Sequence, residues 1–168
     1  MMNVDHILET LNSHQVAYLL IGGMNFLLRH APALTYDVDL WVEDTPQNLA
    51  RCERALGELR AEWGASQDDW EPVAAKPPGW LGRQPLFCLT SPLGSIDVFR
   101  SVKGLGPWAA SRANALPGQT AGGTPFMGLS DDDMLQSQMA LPETERNQQR
   151  IQTLRRALGQ AENEQHGP

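Results

Sequence analysis

The chain has 168 residues, 41% of them apolar and 20% charged, with a net charge of −7; this suits one globular domain and excludes fibrous or wholly disordered classes. The acidic balance disfavours a long nucleic-acid footprint, which cations on phosphates would have to hold. Apolar runs such as 16–21 are too short to span a bilayer and no leader peptide is expected, while two cysteines, Cys52 and Cys88, argue against a disulfide framework or thiolate zinc site, so a reducing, cytoplasmic setting without membrane is expected.

In chain order, Val4, Ile7, Leu8 and Leu11 recur at helical spacing and predict an amphipathic helix over 3–13. The short apolar run 16–21 predicts a buried strand entering a turn at Gly22-Gly23, followed by a short helix over 24–30 that Pro32 stops. Residues 37–42 alternate with the strand period of two. Thr45 before Pro46 is a capping hydroxyl followed by proline at the first helical position, and Leu49, Cys52, Leu56 and Leu59 carry that helix. Residues 65–84, rich in proline and glycine, predict a long loop. The runs 86–90 and 95–99 around Ser91-Pro-Leu-Gly94 predict a hairpin.

Glycine-rich residues 103–128 predict loop with a short helix near 107–113. Ser130-Asp-Asp-Asp133 reads as a capping box opening a helix, Pro142 ends it, and Ile151, Leu154 and Leu158 continue helically over 143–158. The expected organisation is one domain over 1–158, with a core at 15–100, a C-terminal helical part at 129–158 and a flexible tail at 159–168. The fold class is α/β (α+β): a small mixed sheet flanked by helices.

Three carboxylates suggest chemistry. On a strand, Asp37 and Asp39 point to one face, ~6.6 Å apart along the chain. Set among Val38, Leu40 and Val42, they repel unless a cation joins them. Hard divalent cations prefer such oxygens and commonly keep a substrate phosphate as a further ligand. Asp97 lies inside the apolar run Ile96-Asp97-Val98-Phe99, and strand pairing at a spacing of ~4.8 Å would bring it into the same cluster. The competing reading places Asp37 and Asp39 on the solvent face of an edge strand. The C-terminal arginines Arg146, Arg150, Arg155 and Arg156 read as a solvated helix face. His14 and His30 read as capping or surface residues, and Cys52 as core. Trp41 reads as core, with base stacking as the alternative, and Trp70 and Trp80 are candidates to line an acceptor or partner surface.

Gly-Gly at a strand end, a short helix, Thr35-Tyr-Asp37-Val-Asp39, then Gly94-Ser-Ile-Asp97-Val98 and Leu129-Ser-Asp-Asp-Asp-Met-Leu135 together resemble the polymerase-β-like nucleotidyltransferase superfamily. Within it they are most similar to the small bacterial branch of AbiEii-type toxins and minimal nucleotidyltransferases. The resemblance covers most of residues 15–155. It implies transfer of a nucleoside monophosphate from an NTP to a hydroxyl of tRNA, protein or a small molecule, with a toxin–antitoxin or phage-defence role and an antitoxin or other partner subunit. Asp37, Asp39 and Asp97 would be the catalytic, Mg²⁺- or Mn²⁺-binding residues. Gly22, Gly23 and Asn25 would hold phosphates, and Thr35 would orient the Asp-x-Asp strand. Departures from the pattern are Ala33, Gln138 and Arg146-Asn147, where the branch carries basic residues or Lys-Asp. Arg29 and Arg146 are candidate replacements. The alternative is a degenerate module that binds nucleotide or a partner without transfer.

Overall fold

Helical and strand periodicities resolve into six α-helices and eight strands in the computed structural model, which describes residues 2–30 and 37–165, with side chains to 159. The helices are α1 (Val4–Ser13), α2 (Gly22–Arg29), α3 (Pro46–Glu58), α4 (Trp108–Asn114), α5 (Asp131–Met139) and α6 (Gln148–Gln165). The strands are β1 (Tyr18–Ile21), β2 (Asp37–Val42), β3 (Glu62–Trp63), β4 (Glu71–Pro72), β5 (Leu86–Leu89), β6 (Ser95–Phe99), β7 (Leu116–Gln119) and β8 (Pro125–Gly128). β3 and β4 form a separate small ribbon, and the other six make one mixed sheet in the order β5-β6-β2-β1-β8-β7. β1 and β2 are antiparallel, whereas β2 with β6 and β1 with β8 are parallel. The fold is thus α+β, as the residue patterns imply.

Strand alternation divides the core between the two faces of the sheet. One face carries Leu20, Val38, Leu40, Ile96 and Val98 and packs on Ile7, Leu8 and Leu11 of α1 and Cys52 and Leu56 of α3. The other carries Leu19, Ile21 and Trp41, covered by Phe26 of α2, Met134 of α5 and Leu154 of α6. Asp37, Asp39 and Asp97 share the register of this second face. α3 starts as its residues dictate: Thr45 accepts the Asn48 amide at 3.2 Å and Pro46 opens the helix. Ser130 likewise accepts the Asp133 amide at 3.2 Å. No helix among the described residues is long and apolar enough to cross a membrane.

Three stretches differ from expectation. Residues 65–84 are not a plain surface loop. They include β4 and three short 3₁₀ turns and deliver buried Val73, Trp80 and Leu81 to the core, with Trp80 edge-on to Phe87 at 5.0 Å. Trp80 is therefore core rather than partner surface, while Trp70 is exposed. Within 103–128, β7 and β8 form a hairpin that completes the sheet. Pro117, Gly118, Pro125 and Gly128 hide any strand pattern, and non-local pairing supplies the order, as the Leu129 amide donates to Leu20 at 3.0 Å. Finally, α6 runs through Gly159 to Gln165. One interior glycine costs about 1 kcal/mol, which a long helix of good formers absorbs.

Candidate metal centre

β2 is an interior strand, flanked by β6 and β1, so its aspartates are not on an edge. The parallel register sets Asp39 beside Asp97 and Asp37 beside Ser95. All three carboxylates are half-buried, and one oxygen from each lies within 4.8 Å of the others. Strand period and strand pairing suffice to produce this cluster from three residues spread over sixty positions of chain.

The cluster is electrostatically unfavourable by itself. Burial, then the charges of Asp97 and Asp37, push the Asp39 carboxyl up to about 7, and a hydrogen bond with Asp97 works in the same direction. Asp97 is also raised, by burial and then by Asp37. Asp39 Oδ1 is buried and accepts no hydrogen bond from the protein among the described residues. A crowded oxygen donor set with an unsatisfied buried oxygen fits a hard divalent cation such as Mg²⁺ or Mn²⁺.

Gly22 builds the floor of the site. Its φ of +68° lies in the left-handed region, and a Cβ there would run into the Asp39 carboxylate. The turn expected at Gly22-Gly23 is tighter than anticipated: α2 begins at Gly22 itself, with Ile21 as its cap and Gly23 buried. Asn25 is fully buried and turns to another junction, its Nδ2 donating to Leu129 O at 3.0 Å and to the Met134 sulfur at 3.2 Å. It therefore ties α2 to the β8–α5 link. Thr35 and Ala33 lie outside the described residues.

The arginines sort differently from their reading in the sequence. Arg29 donates to Asp131 at 3.2 and 3.3 Å, and His30 shares that oxygen at 2.7 Å. Arg146 donates to Leu141 O at 2.9 Å and Met139 O at 3.0 Å. Both replacement candidates are thus committed to internal partners. Gln138 and Asn147 have structural work as well. Gln138 accepts the Asn147 amide at 2.9 Å, and Asn147 accepts the Arg150 amide at 3.0 Å, so together they cap the start of α6.

Arg155 and Arg156 are exposed, but Arg150 departs from the solvated-face reading. It is half-buried, its guanidinium lies 5.4 Å from the Phe26 ring centroid, and its charge acts on Asp39 against the upward push. The available signal was helical spacing: Arg150 stands four residues before buried Leu154, on the inward side of α6. A second residue not anticipated is Cys88. It pairs in register with Asp97 across β5 and β6, and its thiol is raised by burial and then by Asp97, to which it is hydrogen-bonded. Strand alternation around buried Phe87 and Leu89 turns it to the carboxylate face.

Compared with known proteins, the chain matches no family model and no curated protein.

Proposed function

We propose that this protein is a metal-dependent nucleotidyltransferase that moves a nucleoside monophosphate from an NTP to an acceptor hydroxyl. The observation that carries the reading is the convergence of Asp37, Asp39 and Asp97 on two neighbouring interior strands, above a glycine whose backbone leaves room for nothing but a carboxylate. Divalent cations held by these three carboxylates would supply the positive charge that gathers phosphate oxygens and eases attack at phosphorus.

The residues then have separable tasks. Asp39, between Asp37 and Asp97, anchors the donor set. Asp97, on β6 beside Asp39, is placed to accept the acceptor hydroxyl's proton. The acceptor oxygen forms a bond to the α-phosphorus, the bond from that phosphorus to the bridging oxygen breaks, and pyrophosphate leaves with the electron pair. The Gly22-Gly23 start of α2 sets a helix N-terminus beside the Asp39 carboxylate, and phosphate is favoured at such a terminus.

A second reading, nucleotide binding without transfer, draws on the internal commitment of Arg29 and Arg146, which removes two cations from service to a triphosphate. One experiment separates the two. The protein and Asp37→Ala are incubated with each α-labelled NTP, Mg²⁺ or Mn²⁺, total tRNA and bacterial proteins. Label reaching an RNA or protein band with the wild type, and falling roughly a hundredfold or more in Asp37→Ala, supports transfer. Equal labelling by the variant contradicts it, and metal-dependent NTP binding with no product from any nucleotide establishes the second reading.

A further inference from the structure

Arg150 is an anomaly in ordinary protein chemistry. Half-buried guanidinium groups are held by carboxylates or carbonyls, because a desolvated N–H without an acceptor is costly. Arg150 makes no side-chain hydrogen bond or ion pair among the described residues, and its Nε is buried without an acceptor. What it has is the Phe26 ring at 5.4 Å and, beyond contact range, the charge of Asp39. Phe26 belongs to α2, the helix that starts at Gly22 against the Asp39 carboxylate. The backbone behind Arg150 is by contrast well fixed, through Asn147 and Gln138 at the helix start and through buried Ile151 and Leu154. A fixed base thus presents, against α2, a cationic head with a buried, uncommitted Nε, and its charge acts on Asp39.

We propose that Arg150 is the site's built-in counter-ion and the residue that couples divalent-cation binding to polyphosphate binding. This rests on the reading of Asp37, Asp39 and Asp97 as a metal centre. Without a divalent cation the guanidinium partly neutralises the carboxylates. When a divalent cation arrives the two positive charges repel, and the planar fork of Arg150 turns to phosphate oxygens, which it matches in pairs. No hydrogen bond among the described residues has to be broken for that turn. Cation alone therefore binds weakly, and cation with pyrophosphate or a triphosphate binds strongly, so the chain favours the chelated polyphosphate over either component.

The test measures Mn²⁺ binding to the full chain by calorimetry, with and without inorganic pyrophosphate, for wild type, Arg150→Gln and Arg150→Lys. Arg150→Gln is expected to bind Mn²⁺ alone roughly tenfold more tightly, the scale of removing one charge near a dication in a partly solvated site. Pyrophosphate should tighten Mn²⁺ binding in the wild type and leave Arg150→Gln nearly unchanged. Arg150→Lys keeps the charge without the fork, so it should retain weak Mn²⁺ binding and lose most of the coupling; it also carries the test if the Gln variant fails to melt cooperatively. A general loss of packing would weaken Mn²⁺ binding, the opposite sign. Unchanged or weaker Mn²⁺ affinity in Arg150→Gln, or undiminished pyrophosphate coupling, overturns the proposal. Absence of Mn²⁺ binding in the wild type overturns the metal centre with it, whereas wild-type Mn²⁺ binding that Asp39→Asn abolishes, together with an indifferent Arg150→Gln, overturns the Arg150 role alone.

Discussion

Gly22 is the residue whose identity the site least tolerates changing. Two constraints meet there: a backbone angle of +68°, which side chains rarely adopt, and the Asp39 carboxylate in the space a Cβ would fill. Gly79 offers the natural control, with φ of +91° but nothing within reach of a Cβ. Gly79→Ala should incur only the backbone strain, about 1–2 kcal/mol in urea unfolding. Gly22→Ala should cost more and should also displace Asp39, so Mn²⁺ affinity falls with it. Equal stability loss in the two variants, with Mn²⁺ binding intact in both, would remove the argument that Gly22 is shaped by the carboxylate. The glycine pair and the Asp-x-Asp spacing were legible in the sequence because each has a local cause. Arg150 was legible only in part: helical spacing sets it on the side of Leu154, but its approach to Phe26 and Asp39 depends on the packing of α6 on α2.

Among the elements, α6 brings Arg150 to the site from far along the chain. Its start depends on Asn147, whose side chain accepts the Arg150 amide, and on Gln138, which reaches across from α5 to hold the Asn147 amide. Asn147→Ala removes a helix cap and should cost about 1 kcal/mol in urea unfolding. Because the cap lies three residues before Arg150, the variant should also reduce the strengthening of Mn²⁺ binding by pyrophosphate. A stability loss without any change in that coupling would separate the cap from the site. Gln138 and Asn147 looked in the sequence like deficits, positions where a charge was missing; in the fold they are the fittings that hold the helix. The same blindness explains β7 and β8. Their residues are poor strand formers, and the hairpin is ordered through β8, which pairs with β1 over a hundred residues away, a relation no local pattern records. Strands β2 and β6, by contrast, carry their period openly, and the hairpin to β5 has a turn signature to match.

For the whole molecule, the carboxylate cluster ties stability to pH and, under the proposed function, to metal. The folded Asp39 carboxyl sits near 7, above the ordinary range near 4, so the folded chain holds a proton there that the unfolded chain releases. Its contribution to stability is full below the unfolded value and is lost as pH rises through about 7. The metal-free protein should accordingly lose Tm between about pH 4 and about pH 7 through this group. Asp39→Asn should flatten that loss and raise the Tm at pH 8, while abolishing the Tm gain expected from Mg²⁺ in the wild type. A steeper fall in Asp39→Asn, or an unaltered response to Mg²⁺, would show that the charge is dissipated elsewhere. The general architecture, helices around a mixed sheet with a C-terminal helical part, was legible because buried stripes and alternation dictate it. The electrostatic burden was only half legible, since the neighbour relation of Asp39 and Asp97 depends on a parallel pairing that joins strands far apart in the chain.

That burden bears on how such a sequence persists. Random substitution at Asp37, Asp39 or Asp97 would in many cases relieve repulsion in the middle of the sheet and make the fold easier to keep. A population drifting under selection for foldability alone would therefore shed these acids, since most chains sit only a little above the threshold at which they stay folded. Under the proposed function, the three acids on adjacent interior strands would be kept by the cation they hold rather than by the fold they burden.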